Sequence, residues 1–390
     1  MGAAGHREIV RTFRKTAHKP LVMALPLAWS ANQMGAQMPY SDLPPQAFWK
    51  LCRTDPEFLT TAIYRPKFPL APGMRVATAG SCFAQNVGRY IRASELDFVD
   101  AEPAPPGMGQ DTQTRFGYGL YSARYGNVYT ARQLRQLVED AWSGTVHDAA
   151  VWSNGGRYYD GLRPNVEPGG LASAGEVRAQ RRDHLRRVRR MFAQTDVFIF
   201  TLGLTEAWAD RESGLVFPTA PGVVAGRFDP ARHHFVNFGM AETFEDLAAA
   251  LAILRAARPG LRVILTVSPV PLTATASGDH VLVATTYSKS VLRAVAGELA
   301  ALDPATDYFP SYEIIAGLPF GTRHYQDNLR NVTRAGVDAA MGVFFAAHSG
   351  LRPVPHPVPL KVCDCAPSDV ATEEQTEVCE EAMLAAFDAA

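Results

Sequence analysis

Along most of this chain, short apolar runs alternate with longer stretches whose apolar residues recur every three or four positions. The runs predict buried strands, and the stretches predict helices packed on them. Met74 to Thr78 (MRVAT) is the first β-like run. It leads through Gly80-Ser81-Cys82-Phe83-Ala84 into a helical pattern marked by Val87, Tyr90 and Ile91. Asp196 to Leu202 (DVFIFTL) and Arg262 to Val267 (RVILTV) are apolar enough to be buried on both faces, as parallel strands are. Between them, Leu247, Leu251 and Leu254 follow Phe244 at helical spacing. Helix 286–302 carries Val291, Leu292, Val295 and Leu299 on one face. Tyr308 to Tyr312 (YFPSY) predicts a short edge element, and helix 333–347 closes the domain. Strands alternating with helices predict an α/β fold of three layers, its mainly parallel sheet covered on both faces.

The ends of the chain read differently. A basic opening (Arg7, Arg11, Arg14, Lys15, Lys19) precedes the short apolar run Leu21 to Trp29, which imitates a signal peptide. Pro20 and Pro26 punctuate that run, and no small-x-small pattern follows it cleanly. The expectation is a flexible leader over 1–37, or translation that begins at Met34 or Met38. The domain then covers 38–347, and 348–390 is a C-terminal extension. Pro-rich loops lie at 65–73 and 103–107, and nothing repeats internally. No segment approaches the roughly 20 apolar residues that a membrane span needs.

Composition narrows the function. Apolar residues make up 47% of the 390 and charged residues 20%, which excludes a disordered chain, a collagen-like repeat and a coiled coil. Lys plus Arg is 38 and Asp plus Glu is 39, a net charge of -1. That balance argues against nucleic acid as a partner. Five scattered cysteines fit a reducing, cytoplasmic compartment better than a disulfide framework. Seven arginines crowd 178–190 behind a thin stripe of Leu185, Val188 and Phe192. They read as a solvated helix face, with an anionic glycan or phosphate patch as the sharper alternative.

The chemistry starts at Ala79 to Ala84. A serine placed in the first turn of the helix after a strand projects its hydroxyl at the carboxyl edge of a parallel sheet, where ligands bind. The helix start adds amide N–H groups and positive potential, which suit a developing oxyanion. The same pattern also reads as a serine N-cap beside a glycine turn.

Several segments together resemble the GSCFA family, which Gly80 to Ala84 spell out. The others are Arg124 to Leu134 (RYGNVYTARQL), Thr201 to Trp208 (TLGLTEAW), Ser268 to Pro271 (SPVP), Tyr287 to Ser290 (YSKS) and Tyr308 to Glu313 (YFPSYE). They keep the family's order over about residues 75–345. The family is related to the SGNH hydrolases, so the resemblance implies a flavodoxin-like fold. It also implies esterase or O-acyltransferase chemistry on a carbohydrate or polysaccharide ester. In that reading Ser81 is the nucleophile, and its own amide and that of Gly126, beside Asn127, hold the oxyanion. Thr205 stands where the related enzymes have asparagine, and its hydroxyl would be a further donor to the oxyanion; the pair also reads as a helix N-cap with Glu206 in the first turn.

The fourth block departs from the pattern. The related enzymes place Asp-x-x-His before the last helix, and here the slots hold Asn328 and Asn331, with Asp327 one residue away. An asparagine amide cannot take the serine proton, and base assistance is worth about 10²–10⁴-fold. His280, in the loop leaving 262–267 and next to Asp279, is the leading substitute, ahead of His324 and Glu206. Asn127, Glu206, Asn328 and Asn331 are expected to contact substrate. No cofactor and no metal is required. The alternative is an impaired relative that binds glycan without turning it over, or an accessory factor in glycan assembly. The oligomeric state is left open.

Other candidates read as structural. Cys82 follows the nucleophile and points elsewhere. His233-His234 reads as a surface turn. Cys363, Cys365 and Cys379 lack a fourth ligand at zinc spacing. Val151-Trp152, Tyr158-Tyr159 and Trp208 suit a core better than a sugar platform.

Overall fold

The structure is a computed structural model that describes residues 40–53, 58–352 and 354. The expected leader at 1–37 lies outside these residues, as do Cys363, Cys365, Cys379 and most of the expected extension. The chain divides into two compact units, Met1–Phe58 and Leu59–Ala390. In the first, the described part holds two 3₁₀ turns, Pro45–Ala47 and Trp49–Arg53. The second unit holds the sheet and every residue discussed below.

Five parallel strands form that sheet: β1 (Arg75–Gly80), β2 (Asp97–Phe98), β5 (Val197–Leu202), β9 (Arg262–Val267) and β10 (Thr306–Phe309). Their order is β10-β9-β5-β1-β2. Counted within this sheet alone, that is the flavodoxin-like 2-1-3-4-5 order, with its switch point between β1 and β5. The three apolar runs expected to be neighbours are neighbours, in the order β9-β5-β1. The YFPSY segment contributes the β10 edge.

Period-two alternation explains why these runs need helices on both faces. Phe198, Phe200 and Leu202 face one buried cluster with Val263, Leu265 and Val267. Val197, Ile199 and Ile264 face the other. Burying one such side chain fully is worth about 1.5–3 kcal/mol. The first cluster is covered by α3 (Ala131–Ser143), α4 (Ala174–Gln194), α5 (Met240–Ala257) and α6 (Val281–Leu302). The second is covered by α1 (Phe83–Ala93), α7 (Ser311–Ala316) and α8 (Arg334–Ala347). A short helix, α2 (Gln110–Arg115), precedes the second sequence block.

Local chemistry sets the helix ends. Thr130 and Gln133 form a capping box at the start of α3, and Gly144 closes it in the left-handed region, at φ 74°. Ser173 caps α4 and Thr333 caps α8. Helix α6 begins at Val281, a turn and a half before the expected start.

Two small sheets decorate the core: the hairpin β3 (Val151–Asn154) with β4 (Arg157–Asp160), and β6 (Glu206–Asp210) flanked by β7 (Val216–Phe217) and β8 (His233–Asn237). The second corrects two readings. Glu206 opens a strand, not a helix, and His233-His234 begins β8, with His233 buried. The arginine segment is also not wholly solvated. Arg181 is buried and pairs with Asp140 and Asp160, and His184 is fully buried against Glu102 at 2.7 Å. Trp152 lies in a core cluster with Phe217, as expected of a structural aromatic. Among the described residues, no helix is long and apolar enough to cross a membrane.

Candidate active site

Ser81 follows β1 directly, in the turn before α1. Cys82 is the N-cap of α1, so Ser81 precedes the helix rather than sitting in its first turn. Gly80 adopts φ 139°, and a Cβ there would lie 2.3 Å from the Thr201 carbonyl oxygen. Only glycine lets β1 pass β5 this closely. The ladder then runs one bond further than expected: the Ser81 amide donates to the Thr201 carbonyl at 3.0 Å. The N–H expected to meet an oxyanion is therefore held in the sheet. Cys82 belongs to the apolar cluster beneath α1, α7 and α8.

The second block docks beside it. The Val128 amide donates to the Gly80 carbonyl at 2.9 Å. The Tyr121 hydroxyl donates to the Asn127 side-chain oxygen, lies 3.3 Å from the Ser81 carbonyl and accepts from Gln85 at 3.1 Å. Gly126 has φ 69°, the left-handed conformation that tightens this turn.

The third block arrives from β5. The Gly203 and Leu204 amides both donate to the Tyr129 carbonyl, at 2.9 and 3.1 Å. A Cβ on Gly203 would lie 2.9 Å from Ser81 Cβ. The turns after β1 and β5 and the 126–130 loop thus meet at the switch point. The Thr205 hydroxyl does not face this junction as a free donor. It donates to Asn237 at 2.7 Å, and the Thr205 amide donates to the Ser288 hydroxyl at 3.0 Å. Next to Ser288, buried Lys289 donates from Nζ to the Gly203 carbonyl at 2.7 Å. Sequence reasoning assigned Ser288 and Lys289 no role, although the YSKS motif carried both.

Ser81 is 3% exposed, and its Oγ has no hydrogen-bond partner among the described residues. A small cavity adjoins the second block, lined by Tyr125, Asn127, Gln133, Gln136, Arg181 and Val216 among others.

Comparison with known families and structures adds two matches. The GSCFA family matches residues 75–344. The chain belongs to the GSCFA family. No curated protein matches it. A solved structure to which it is similar is a carbohydrate esterase family 3 from Talaromyces cellulolyticus, at 13% identity over 70% of this chain and 94% of that one. The TM-score is 0.30, and a likeness that weak carries no argument.

In this GSCFA protein none of the candidate bases is hydrogen-bonded to Ser81 Oγ. His280 is exposed and caps α6, its Nδ1 accepting from the Leu282 amide at 3.2 Å. The residue precedes a helix whose first amides need an acceptor, and the imidazole supplies it. His324 is buried, with Nδ1 3.0 Å from the Ile314 carbonyl and its ring against Phe320. Burial lowers its pKa. Glu206 accepts from the Thr275 hydroxyl at 2.7 Å, and burial raises its pKa above the usual carboxylate value.

The fourth-block residues form a turn. The Asn328 side-chain oxygen accepts from the Arg330 and Asn331 amides, at 3.0 and 2.9 Å. This asparagine is exposed, as is Asp327, while Asn331 is half-buried and its carbonyl accepts from Gln326. Among the described residues, no group of three or more His, Cys, Asp or Glu side chains is arranged to hold a metal ion.

Proposed function

We propose that this chain is a serine-dependent acyl-ester enzyme, an esterase or O-acyltransferase acting on esters of a carbohydrate or polysaccharide. The observation that carries the reading is the Ser81 hydroxyl. The hydroxyls of Thr78, Thr201, Thr243 and Thr273 also lack a partner among the described residues, so it is position that sets Ser81 apart. It lies where three sequence blocks meet, at the switch point of a doubly wound sheet. Ser81 Oγ would attack the acyl carbonyl and form a C–O bond, the ester's own C–O bond would break, and the serine proton would leave on the departing alcohol. Water would then release the acid, or a sugar hydroxyl would take the acyl group.

The proton is the weak point of this chemistry. No imidazole or carboxylate among the described residues bonds to Ser81 Oγ. Unassisted serine forfeits about 10²–10⁴-fold, so turnover should be slow for this class. The missing base also favours a second reading, a GSCFA protein that binds glycan without cleaving it. A reducing, cytoplasmic setting is part of the proposal, on the few and scattered cysteines.

A fluorophosphonate probe with peptide mapping tests the choice. Labelling at Ser81, absent in Ser81→Ala, supports acyl chemistry. An unlabelled Ser81, in a protein that still binds acetylated oligosaccharide, supports the binding reading.

A further inference from the structure

The YSKS segment found a place in the fold but no part in the chemistry above. Two adjacent residues of it, on the buried side of α6, both reach the turn that follows β5. Ser288 Oγ accepts from the Thr205 amide at 3.0 Å. Lys289 Nζ donates to the Gly203 carbonyl at 2.7 Å. From the other side, the Tyr129 carbonyl accepts from the amides of Gly203 and Leu204. The turn is therefore bonded at three successive residues, by α6 and the 126–130 loop, and at Thr205 also by Asn237 of β8 and the Phe238 amide.

Gly203 is also the residue that packs on the nucleophile, since a Cβ there would fall 2.9 Å from Ser81 Cβ. Standard bond lengths then confine Lys289 Nζ to within about 10 Å of Ser81 Cβ. A lysine that is 2% exposed is expensive to bury, and one ordinary surface hydrogen bond would not require it.

We infer that Lys289 is a positioning residue of the acyl site: it holds the Gly203 carbonyl, and through Gly203 it fixes where Ser81 stands. The inference rests on Ser81 being the nucleophile only for its effect on rate. Its effect on the turn is independent of that. What matters is the Nζ donor itself. Arginine keeps an N–H donor at the end of a long side chain, and methionine keeps only the bulk.

Two measurements on the full chain decide it. The first is hydrogen exchange of the Gly203, Leu204 and Thr205 amides, with the β9 amides as an internal control. Lys289→Met should raise exchange in the turn about tenfold while β9 stays as in the wild type, because local opening is separable from global unfolding. Unchanged exchange in the turn, or an equal rise in β9, overturns the inference.

The second is fluorophosphonate labelling of Ser81. Lys289→Met should cut the maximal labelling rate by about 10–100-fold with probe affinity little changed, as small misplacements of reacting groups do. Lys289→Arg should recover most of it. Combined with Gly203→Ala, the loss should be much less than the product of the two single losses, because both act on one contact. A fully multiplicative loss overturns the inference. If wild-type Ser81 does not label at all, the acyl-enzyme reading fails, and the exchange result alone decides the role of Lys289. If Lys289→Met does not fold, Lys289→Gln takes its place in both measurements with the same criteria.

Discussion

Gly203 leaves no room for a side chain above Ser81: a Cβ would sit 2.9 Å from Ser81 Cβ and 3.1 Å from the Tyr129 ring. Neither neighbour can swing away, since one is the first atom of a short side chain and the other a buried ring. Gly203→Ala should therefore push the β5 turn off the β1 turn. Overpacking of this kind costs about 1–3 kcal/mol. The expected outcome is a lower melting temperature together with at least about tenfold slower fluorophosphonate labelling. A variant that labels at the wild-type rate would mean that the close approach has no bearing on the serine.

The same junction makes a prediction about stability that runs against the usual direction. Most core substitutions destabilise, yet Ser81→Ala removes a buried hydroxyl that has no partner among the described residues. An unmet buried polar group costs about 1–3 kcal/mol. The alanine variant should melt at the wild-type temperature or above it while losing all probe labelling. Stability given up at a functional position is a familiar trade. A drop of several degrees would show that Ser81 Oγ holds a structural bond, and would weaken its assignment as nucleophile.

How much of this was legible beforehand depended on where the information sits. The apolar runs MRVAT, DVFIFTL and RVILTV gave the central strands, because a strand buried on both faces needs an unbroken run. The small β6–β8 sheet was not legible. Its strands carry Glu206, Asp210 and the His233-His234 pair, and their partners are set by tertiary contacts rather than by alternation. The nucleophile turn was legible from its order of strand, glycine, serine and helix. The fate of the donors was not. Whether the Ser81 amide is free depends on the β1–β5 register, and whether the Thr205 hydroxyl is free depends on Asn237, which lies 32 residues away. Lys289 was the clearest miss. A lysine in an amphipathic helix looks like a solvated charge until its turn of the helix is known to face the sheet.

His280 separates sequence proximity from chemical role. Its loop leaves the carboxyl end of β9, which made it the leading base. Its Nδ1 instead caps α6, and the residue is exposed. His280→Ala should cost the helix a cap and lower the melting temperature slightly. The labelling rate should stay within about twofold of wild type, far from the 10²-fold loss that removal of a general base produces. A loss on that larger scale would restore His280 as the base and require its loop to close over Ser81 in the reacting state.

The last prediction concerns acid stability. His348 is 1% exposed, packed 4.9 Å from the Phe344 ring and 5.7 Å from Tyr64, and neither ring nitrogen has a partner among the described residues. Burial pushes its pKa down to about 4. His184 is pushed down to about 4 as well, by burial and then by Arg163. A histidine whose folded pKa lies below its unfolded value of about 6.5 binds its proton more readily when unfolded. Its contribution to stability is therefore intact above pH 6.5 and is lost as the pH falls toward 4. At pH 5 His348 should have withdrawn about 2 kcal/mol. His348→Phe replaces the ring with an apolar one that suits the same aromatic neighbours and leaves no unmet nitrogen. The variant should be at least as stable as wild type at pH 7, and its melting temperature should fall less between pH 7 and pH 5. The carboxylates held low by arginine, Asp160 and Asp196 among them, lose their protection only below about pH 4 and leave this window unaffected. Thermal melts at both pH values check the prediction, and parallel curves for the two proteins would remove His348 from the acid response.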